Sequence, residues 1–285
     1  MPVVAVINRK GGSGKSTLAT HLAVYCANAG LPVMLGDVDP QQSTQTWLRR
    51  RGTQAHVSPT KIVGWSVEPR NALRAPAGIT HVVLDTPGGL RGFELARVVM
   101  YADAILMPVC NSVFDRESAA DCYAELMTLP RVSGGRCKVG AVGMRLDART
   151  AADAVLKEWA QQLALPFVGV LRETQGYVKC IEQGLTLFDM PAAKVQADLV
   201  QWQPILDWLA PVLHDVPAAA DAPKRPAKPA TTATDPPPVS PEPTSRPGLN
   251  GEAGDAPRDP LHGIPAEPIA RTGIATRLAR WLGVR

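Results

Sequence analysis

Residues 3–17 constrain this chain more than any other stretch: V-V-A-V-I-N-R-K-G-G-S-G-K-S-T. Val3, Val4, Val6 and Ile7 form a short apolar run, the pattern of a strand buried on both faces. Gly11, Gly12 and Gly14 then turn the chain into a helix expected to begin near Lys15. A strand, a Gly-rich loop and a helix start in that order make a phosphate cradle. Glycines let backbone N–H groups converge on an anion, and the helix N-terminus adds partial positive charge. Lys15 is placed to reach β- and γ-phosphates, and the Ser16 hydroxyl to ligate Mg²⁺.

Two further carboxylate segments follow at the ends of apolar runs. Residues 32–36 read as a second buried strand and lead into Asp37-Val38-Asp39-Pro40-Gln41. Residues 80–84, T-H-V-V-L, lead into Asp85-Thr86-Pro87-Gly88-Gly89. Carboxylates at the C-terminal ends of parallel strands lie where such sheets bind ligands. Asp85 is a candidate to hold Mg²⁺ through water, and Gly88-Gly89 to meet the γ-phosphate. Either aspartate segment could instead cap the helix that follows it.

The loop departs from the usual frame: Arg9 stands at its first glycine, and a second lysine, Lys10, follows. K-G-G-x-G-K-[ST] resembles the deviant Walker A of the ParA/MinD family of P-loop ATPases. The resemblance, of the small ParF-like kind, covers about residues 1–213. It implies a doubly wound, mostly parallel α/β P-loop fold binding ATP and Mg²⁺. It gives the nucleotide Lys10, Gly11, Gly12, Ser13, Gly14, Lys15, Ser16 and Thr17, and the metal shell Ser16, Asp37 and Asp85. It gives Lys10 a reach across a homodimer interface to the partner's phosphates, and Asp39 the orientation of the attacking water. Lys10, Lys15 and Asp39 are thus the expected catalytic set. Loops after two later strands imply Pro108 and Arg145 as adenine contacts. E-T-Q-G-Y at 173–177 looks like the matching segment of plasmid-partition ATPases of the ParF type. The absence of an N-K-x-D segment favours ATP over GTP.

Other relatives on the same scaffold fit less well. The 5 cysteines are scattered without a C-x-x-C pair, which argues against the iron–sulfur members and reads as thiols of a reducing compartment. No Tyr follows Tyr177, unlike the tyrosine-kinase members. The remaining expectation is a cytoplasmic, nucleoid-associated ATPase that positions a plasmid, chromosome or protein cargo. Such an ATPase dimerises with ATP, contacts nonspecific DNA, and is stimulated by a small cargo-linked activator protein. A MinD-like ATPase peripheral at the inner membrane and an ATP-dependent ligase or synthetase are the alternatives. Net charge of +4 permits a nucleic-acid or anionic-lipid partner without requiring one. Arg172, Lys179 and Lys194 are the cations first considered for a DNA-facing patch.

Composition divides the chain into a 1–215 ATPase domain, a 216–267 linker and a 268–285 tail. The linker is rich in Pro and Ala and poor in aromatics, so disorder is expected. In the tail, Ile274, Leu278, Trp281 and Leu282 recur at helical spacing, with Arg271, Arg277, Arg280 and Arg285 and no acid. This is a short basic amphipathic helix by pattern. Membrane contact through 271–285, or docking on a protein with Trp281 as anchor, are both open to it. The chain opens on a strand pattern, so no secretory leader is expected, and no apolar run approaches the ~20 residues of a membrane span.

Overall fold

The structure is a computed structural model that describes residues 1–55, 57, 60–66, 75–146 and 151–214. Residues 69–74, which by sequence could form a short helix, the linker 216–267 and the tail 268–285 lie outside the described residues. The chain divides into two units, Met1–Lys224 and Arg225–Arg285, and every described residue belongs to the first.

Seven strands form one sheet in the order β3-β2-β4-β1-β5-β6-β7, every pair parallel. They are β1 (Val3–Val6), β2 (Val33–Asp37), β3 (Ile62–Ser66), β4 (His81–Asp85), β5 (Ala104–Val109), β6 (Lys138–Leu146) and β7 (Phe167–Arg172). The helices are α1 (Lys15–Asn28), α2 (Ser43–Arg51), α3 (Gly92–Tyr101), α4 (Val113–Thr128), α5 (Pro130–Ser133), α6 (Ala152–Gln162), α7 (Gln175–Glu182) and α8 (Ala192–His214). From the central β1 the chain lays β2 and β3 to one side, returns to insert β4, and then adds β5 to β7 on the other. The order reverses at β1, so the loop after β1 faces the crevice outside the strand ends.

Every residue of β1, β2, β4 and β5 is buried, as continuous apolar strands in a covered parallel sheet must be. Alternate side chains feed two cores. Val3, Ala5 and Ile7 pack with Leu95 and Val99 of α3, Leu126 of α4 and Leu156 of α6. Val4 and Val6 pack with Leu18 and Leu22 of α1, Trp47 of α2, and Trp202 and Leu209 of α8. Each fully buried Leu contributes roughly 1.5–3 kcal/mol. α8 contains Pro204 and Pro211, yet its apolar face holds it in place. The buried His81 ring on β4 meets the Leu213 carbonyl near the helix end at 2.8 Å.

α2 is tied at its far end as well. The Arg51 guanidinium turns inward to Asp189 through two hydrogen bonds of 2.9 and 2.8 Å, and both side chains are nearly fully buried. Trp47 Nε1 donates to the Leu185 carbonyl at 3.3 Å. Gly184 sits at φ +74°, and a Cβ there would lie 2.3 Å from the Arg51 amide nitrogen. Glycine is what allows the two backbones to approach so closely.

Candidate functional site

The phosphate cradle is built as its residues predict. Gly12 and Gly14 adopt φ +74° and +100°, and Gly14 opens α1, whose first turn contains no acid. The N–H groups of that turn are therefore available to an anion. Asn8, fully buried, holds the loop from below. Its Oδ1 accepts from the Lys10 amide at 3.0 Å, and its Nδ2 donates to the Pro108 carbonyl at 2.5 Å. Sequence reading passed over Asn8, although an Asn two residues before a turn amide is a known loop former. The segment after β4 lies directly on the cradle. The Gly89 amide donates to the Arg9 carbonyl at 2.7 Å, and Thr86 Oγ1 to the Val6 carbonyl at 2.7 Å. Arg9 pairs with Glu125 of α4, whose other oxygen accepts from the Gly92 amide at 2.6 Å.

Lys15 is buried, and its Nζ donates to the Lys10 carbonyl at 3.1 Å. Burial lowers its pKa, while the charges of Asp85 and Asp39 act in the opposite direction. Lys10 is exposed, and its ammonium has no ion-pair partner among the described residues. Ser13 is buried with its hydroxyl unpartnered. Ser16 and Thr17 occupy the first turn of α1, half-buried.

The three aspartates come together but are used differently. Asp37 and Asp85 sit opposite each other in the register of β2 and β4. Asp37 is fully engaged with its own chain. Its Oδ2 accepts from the Thr44 amide at 3.0 Å, the Thr44 hydroxyl at 2.6 Å and the Gln45 amide at 3.4 Å, and its Oδ1 from the Asp39 amide at 3.1 Å. Asp39 repeats the turn one step on, accepting from the Gln41 amide at 2.9 Å. Asp39 does not cap α2: Gln42, at φ +50°, occupies the position before the helix, and Asp37 secures its first turn.

Asp85 is completely buried, and neither carboxyl oxygen has a hydrogen-bond partner. Burial pushes its pKa up to about 7. The nearby Ser16 hydroxyl pulls the other way without meeting hydrogen-bond geometry. A buried carboxyl with two orphaned oxygens, beside a helix-terminal serine, fits a divalent cation. Among the described residues no group of three or more His, Cys, Asp or Glu forms a side-chain cage for a metal. Mg²⁺ is bound through one or two carboxylates together with substrate phosphates and water, so the fit rests on Asp85 and Ser16.

A cleft of about 330 Å³ opens beside the cradle, lined by Gly14, Thr17, Arg145, Glu173, Tyr177 and neighbouring residues. Arg145 is exposed there at φ +54°, where β6 and β7 slip in register. Pro108 does not reach the cleft. It is buried within β5, with its carbonyl bound to Asn8, because the strand continues one residue beyond it. Tyr177, which the sequence placed only in a family segment, lines the cleft and accepts from Trp202 Nε1 at 3.1 Å. Of the cations first considered for DNA, Arg172 is paired with Asp198 at 2.6 Å and also lines this cleft.

Comparison with known proteins agrees with this geometry. Residues 4–187 match the family described as "CobQ/CobB/MinD/ParA nucleotide binding domain". The "Maintenance of carboxysome distribution protein A" of Gloeobacter kilaueensis is 32% identical over 193 residues, covering 65% of this chain and 83% of the relative. Among solved structures, an ATP complex of Cyanothece McdA superposes with a TM-score of 0.55 at 15% identity, covering 74% of this chain and 95% of the other. The septum site-determining protein MinD of Pyrococcus horikoshii, complexed with Mg-ADP, gives 0.56 at 14% identity, covering 75% and 99%. At these identities the two structures bear on the fold alone. No helix among the described residues is long and apolar enough to cross a membrane.

Proposed function

Because this chain belongs to the CobQ/CobB/MinD/ParA nucleotide-binding family, we propose that it is a positioning ATPase whose two copies close around two ATP molecules. The observation that carries this reading is the pairing of two unlike lysines on one loop. Lys15 is buried against the cradle, and Lys10 is exposed with no ion-pair partner. Lys15 serves the nucleotide held by its own chain, and Lys10 is free to reach the phosphates held by a second copy. A metabolic ligase on this scaffold has no use for that outward lysine, so Lys10 favours the positioning class.

The chemistry follows from the residues present. Backbone N–H groups of 11–17 and the Lys15 ammonium neutralise the β- and γ-phosphates. Asp85 and Ser16 would hold Mg²⁺, which supplies charge neutralisation at the same phosphates. Asp39, half-buried at the edge of the cradle, orients the attacking water, and one of its oxygens is steadied by the Gln41 amide. The cleft lined by Arg145 and Tyr177 takes the adenosine. Dimer formation gates binding to nucleoid DNA, and a cargo-linked activator stimulates hydrolysis and release. The cargo is a plasmid, a chromosome or a protein assembly.

Light scattering of the full chain with ATP and with ADP, alongside turnover, tests the reading. Lys10→Ala should bind ADP normally yet fail to dimerise with ATP. Asp39→Ala should dimerise without turning over, and Lys15→Ala should bind no nucleotide. A dimer indifferent to nucleotide, or wild-type turnover by Asp39→Ala, would sink it.

A further inference from the structure

A parallel sheet gives a molecule two unlike rims. Where the strands end, Asp37, Asp39 and Asp85 gather beside the cradle. Where the strands begin, the charge is reversed. Lys61 precedes β3, and Arg136 and Lys138 stand at the start of β6. α2 runs back along β3, with Gln45 and Leu48 over Gly64, and so delivers Arg49 and Arg50 to the same rim. All five side chains are exposed, and none has a carboxylate partner among the described residues. Among the described residues, the side-chain hydrogen bond of this group is from Arg49 to the Thr46 hydroxyl at 2.8 Å. Arg51, the third cation of that turn, is occupied inside by Asp189, so Arg49 and Arg50 are not needed to anchor the helix.

Among the described segments leading into the seven strands, the only acid is Asp103. It is taken up by Arg131 at 2.6 Å and by the Val3 amide at 2.9 Å. The five cations are exposed and form no ion pair among the described residues, although Asp103 shares a surface cleft with Arg136 and Lys138. The row consists of two clusters, Arg49, Arg50 and Lys61 at β3 and Arg136 and Lys138 at β6, with the starts of β2, β4, β1 and β5 between them in the strand order. With strands about 4.8 Å apart, these five spacings give roughly 24 Å. A single phosphate or nucleotide is held by donors converging on one point. A row of this length instead matches a polyanion, and duplex DNA offers a charge about every 1.7 Å of its axis. No large apolar side chain is exposed on the described residues of α2 or β3, so that end of the row offers nothing for a bilayer to take up.

We infer that this rim, Arg49, Arg50, Lys61, Arg136 and Lys138, is the surface that binds the phosphate backbone of duplex DNA. The inference rests on the nucleoid reading above and places its contact on the face away from the nucleotide. Two copies in an ATP dimer would present two such rows, so affinity rises with dimerisation through effective concentration.

The test is anisotropy of a labelled duplex of arbitrary sequence with the full chain, ATP and Mg²⁺, over a salt series. The pairs Arg49→Ala/Arg50→Ala and Arg136→Ala/Lys138→Ala should each weaken binding about tenfold and flatten the salt dependence by roughly 0.9 per lost contact. ATP turnover without DNA should be unchanged in both, which excludes a folding defect. Wild-type-like binding by both pairs would overturn the inference alone, most clearly if Arg172→Ala/Lys179→Ala/Lys194→Ala lost it. A wild-type chain that binds no duplex would remove the nucleoid reading and this surface together. If the rim pairs mattered for vesicles of anionic lipid and not for duplex, the surface would be a lipid site instead.

Discussion

Asp37 and Asp85 end neighbouring strands, pair in register and are equally buried, yet they serve opposite ends. Asp37 accepts four hydrogen bonds from its own chain and thereby starts α2. Asp85 accepts none, and burial raises its pKa to about 7. Burial alone thus says little about what a carboxylate is for. What distinguishes them is the chain that follows. After Asp37 it turns twice through Asx turns and brings Thr44 back over the carboxylate. After Asp85 it leaves at once to lie on the cradle through Thr86 and Gly89. One aspartate is finished by the fold. The other is buried with both oxygens unpartnered, the arrangement on which the proposed Mg²⁺ role rests.

The sharpest way to break this contrast is to remove each carboxylate in turn. Asp37→Ala strands the Thr44 and Gln45 amides and the Thr44 hydroxyl, and should cost about 3–5 kcal/mol in urea unfolding. Asp85→Asn should go the other way. Asp85 has a folded-state pKa above its unfolded value, so the folded chain holds that proton more tightly between about pH 4 and 7. Its contribution to stability therefore falls as pH rises through that window. Without nucleotide or metal, the Asn variant should be more stable than wild type at pH 8, by of the order of a few kcal/mol, and similar only below about pH 4. The same variant should lose the extra stability that MgATP gives. An Asp85→Asn chain less stable at pH 8 than wild type would mean that the carboxylate is satisfied after all.

His21 supplies a built-in contrast in the same titration. Its pKa is lowered by burial to about 4, with its ring stacked on Trp202 and its Nδ1 on the Thr17 carbonyl at 2.8 Å. A depressed His loses protons on folding, so its contribution to stability grows as pH rises from about 4 to 6.5. The two windows overlap, so between about pH 4 and 6.5 the two groups offset each other in the wild type, and Asp85→Asn should uncover a rise in stability over that range. The smallest effect belongs to Thr44→Val. It deletes one hydroxyl bond to Asp37 and keeps the amide bonds, and should cost about 1 kcal/mol with little change in the pH profile.

The sequence made the central site readable because its signals are local. A Gly-rich loop fixes its own conformation, and an apolar run ending in Asp places that Asp at a strand end. The apolar runs at 104–109 and 167–171 read as strands for the same reason and occur as β5 and β7, whereas 52–76 is the least readable stretch, with only an edge strand open at 61–67, where β3 covers Ile62–Ser66. What was not legible depends on contacts between distant residues. Pro108 reads as the end of the strand at 104–109 and receives the adenine only through the family resemblance, but its burial and its carbonyl bond to Asn8 hold it inside β5, away from the cleft. Thr44 gives no signal of its own, since its partner lies seven residues back and meets it only when α2 begins at Ser43. Pro204 and Pro211 argue locally against a helix at 192–214, and only the burial of Trp202, Ile205 and Leu209 explains one.

The close contact at Gly184 makes α2 a lever with an unequal pair of fastenings. Its far end is clamped by two backbones in contact and a buried ion pair, whereas its near end hangs on the Asp37 carboxylate. At 1.5 Å per residue, its nine residues span about 13 Å. A tilt of roughly 10° about the clamp would move the near end by about 2 Å, enough to part Thr44 from Asp37. Arg49 and Arg50, next to the fulcrum, would scarcely move. Any event that draws Asp37 toward a cation would therefore reshape the mouth of the cradle while leaving the basic rim in place.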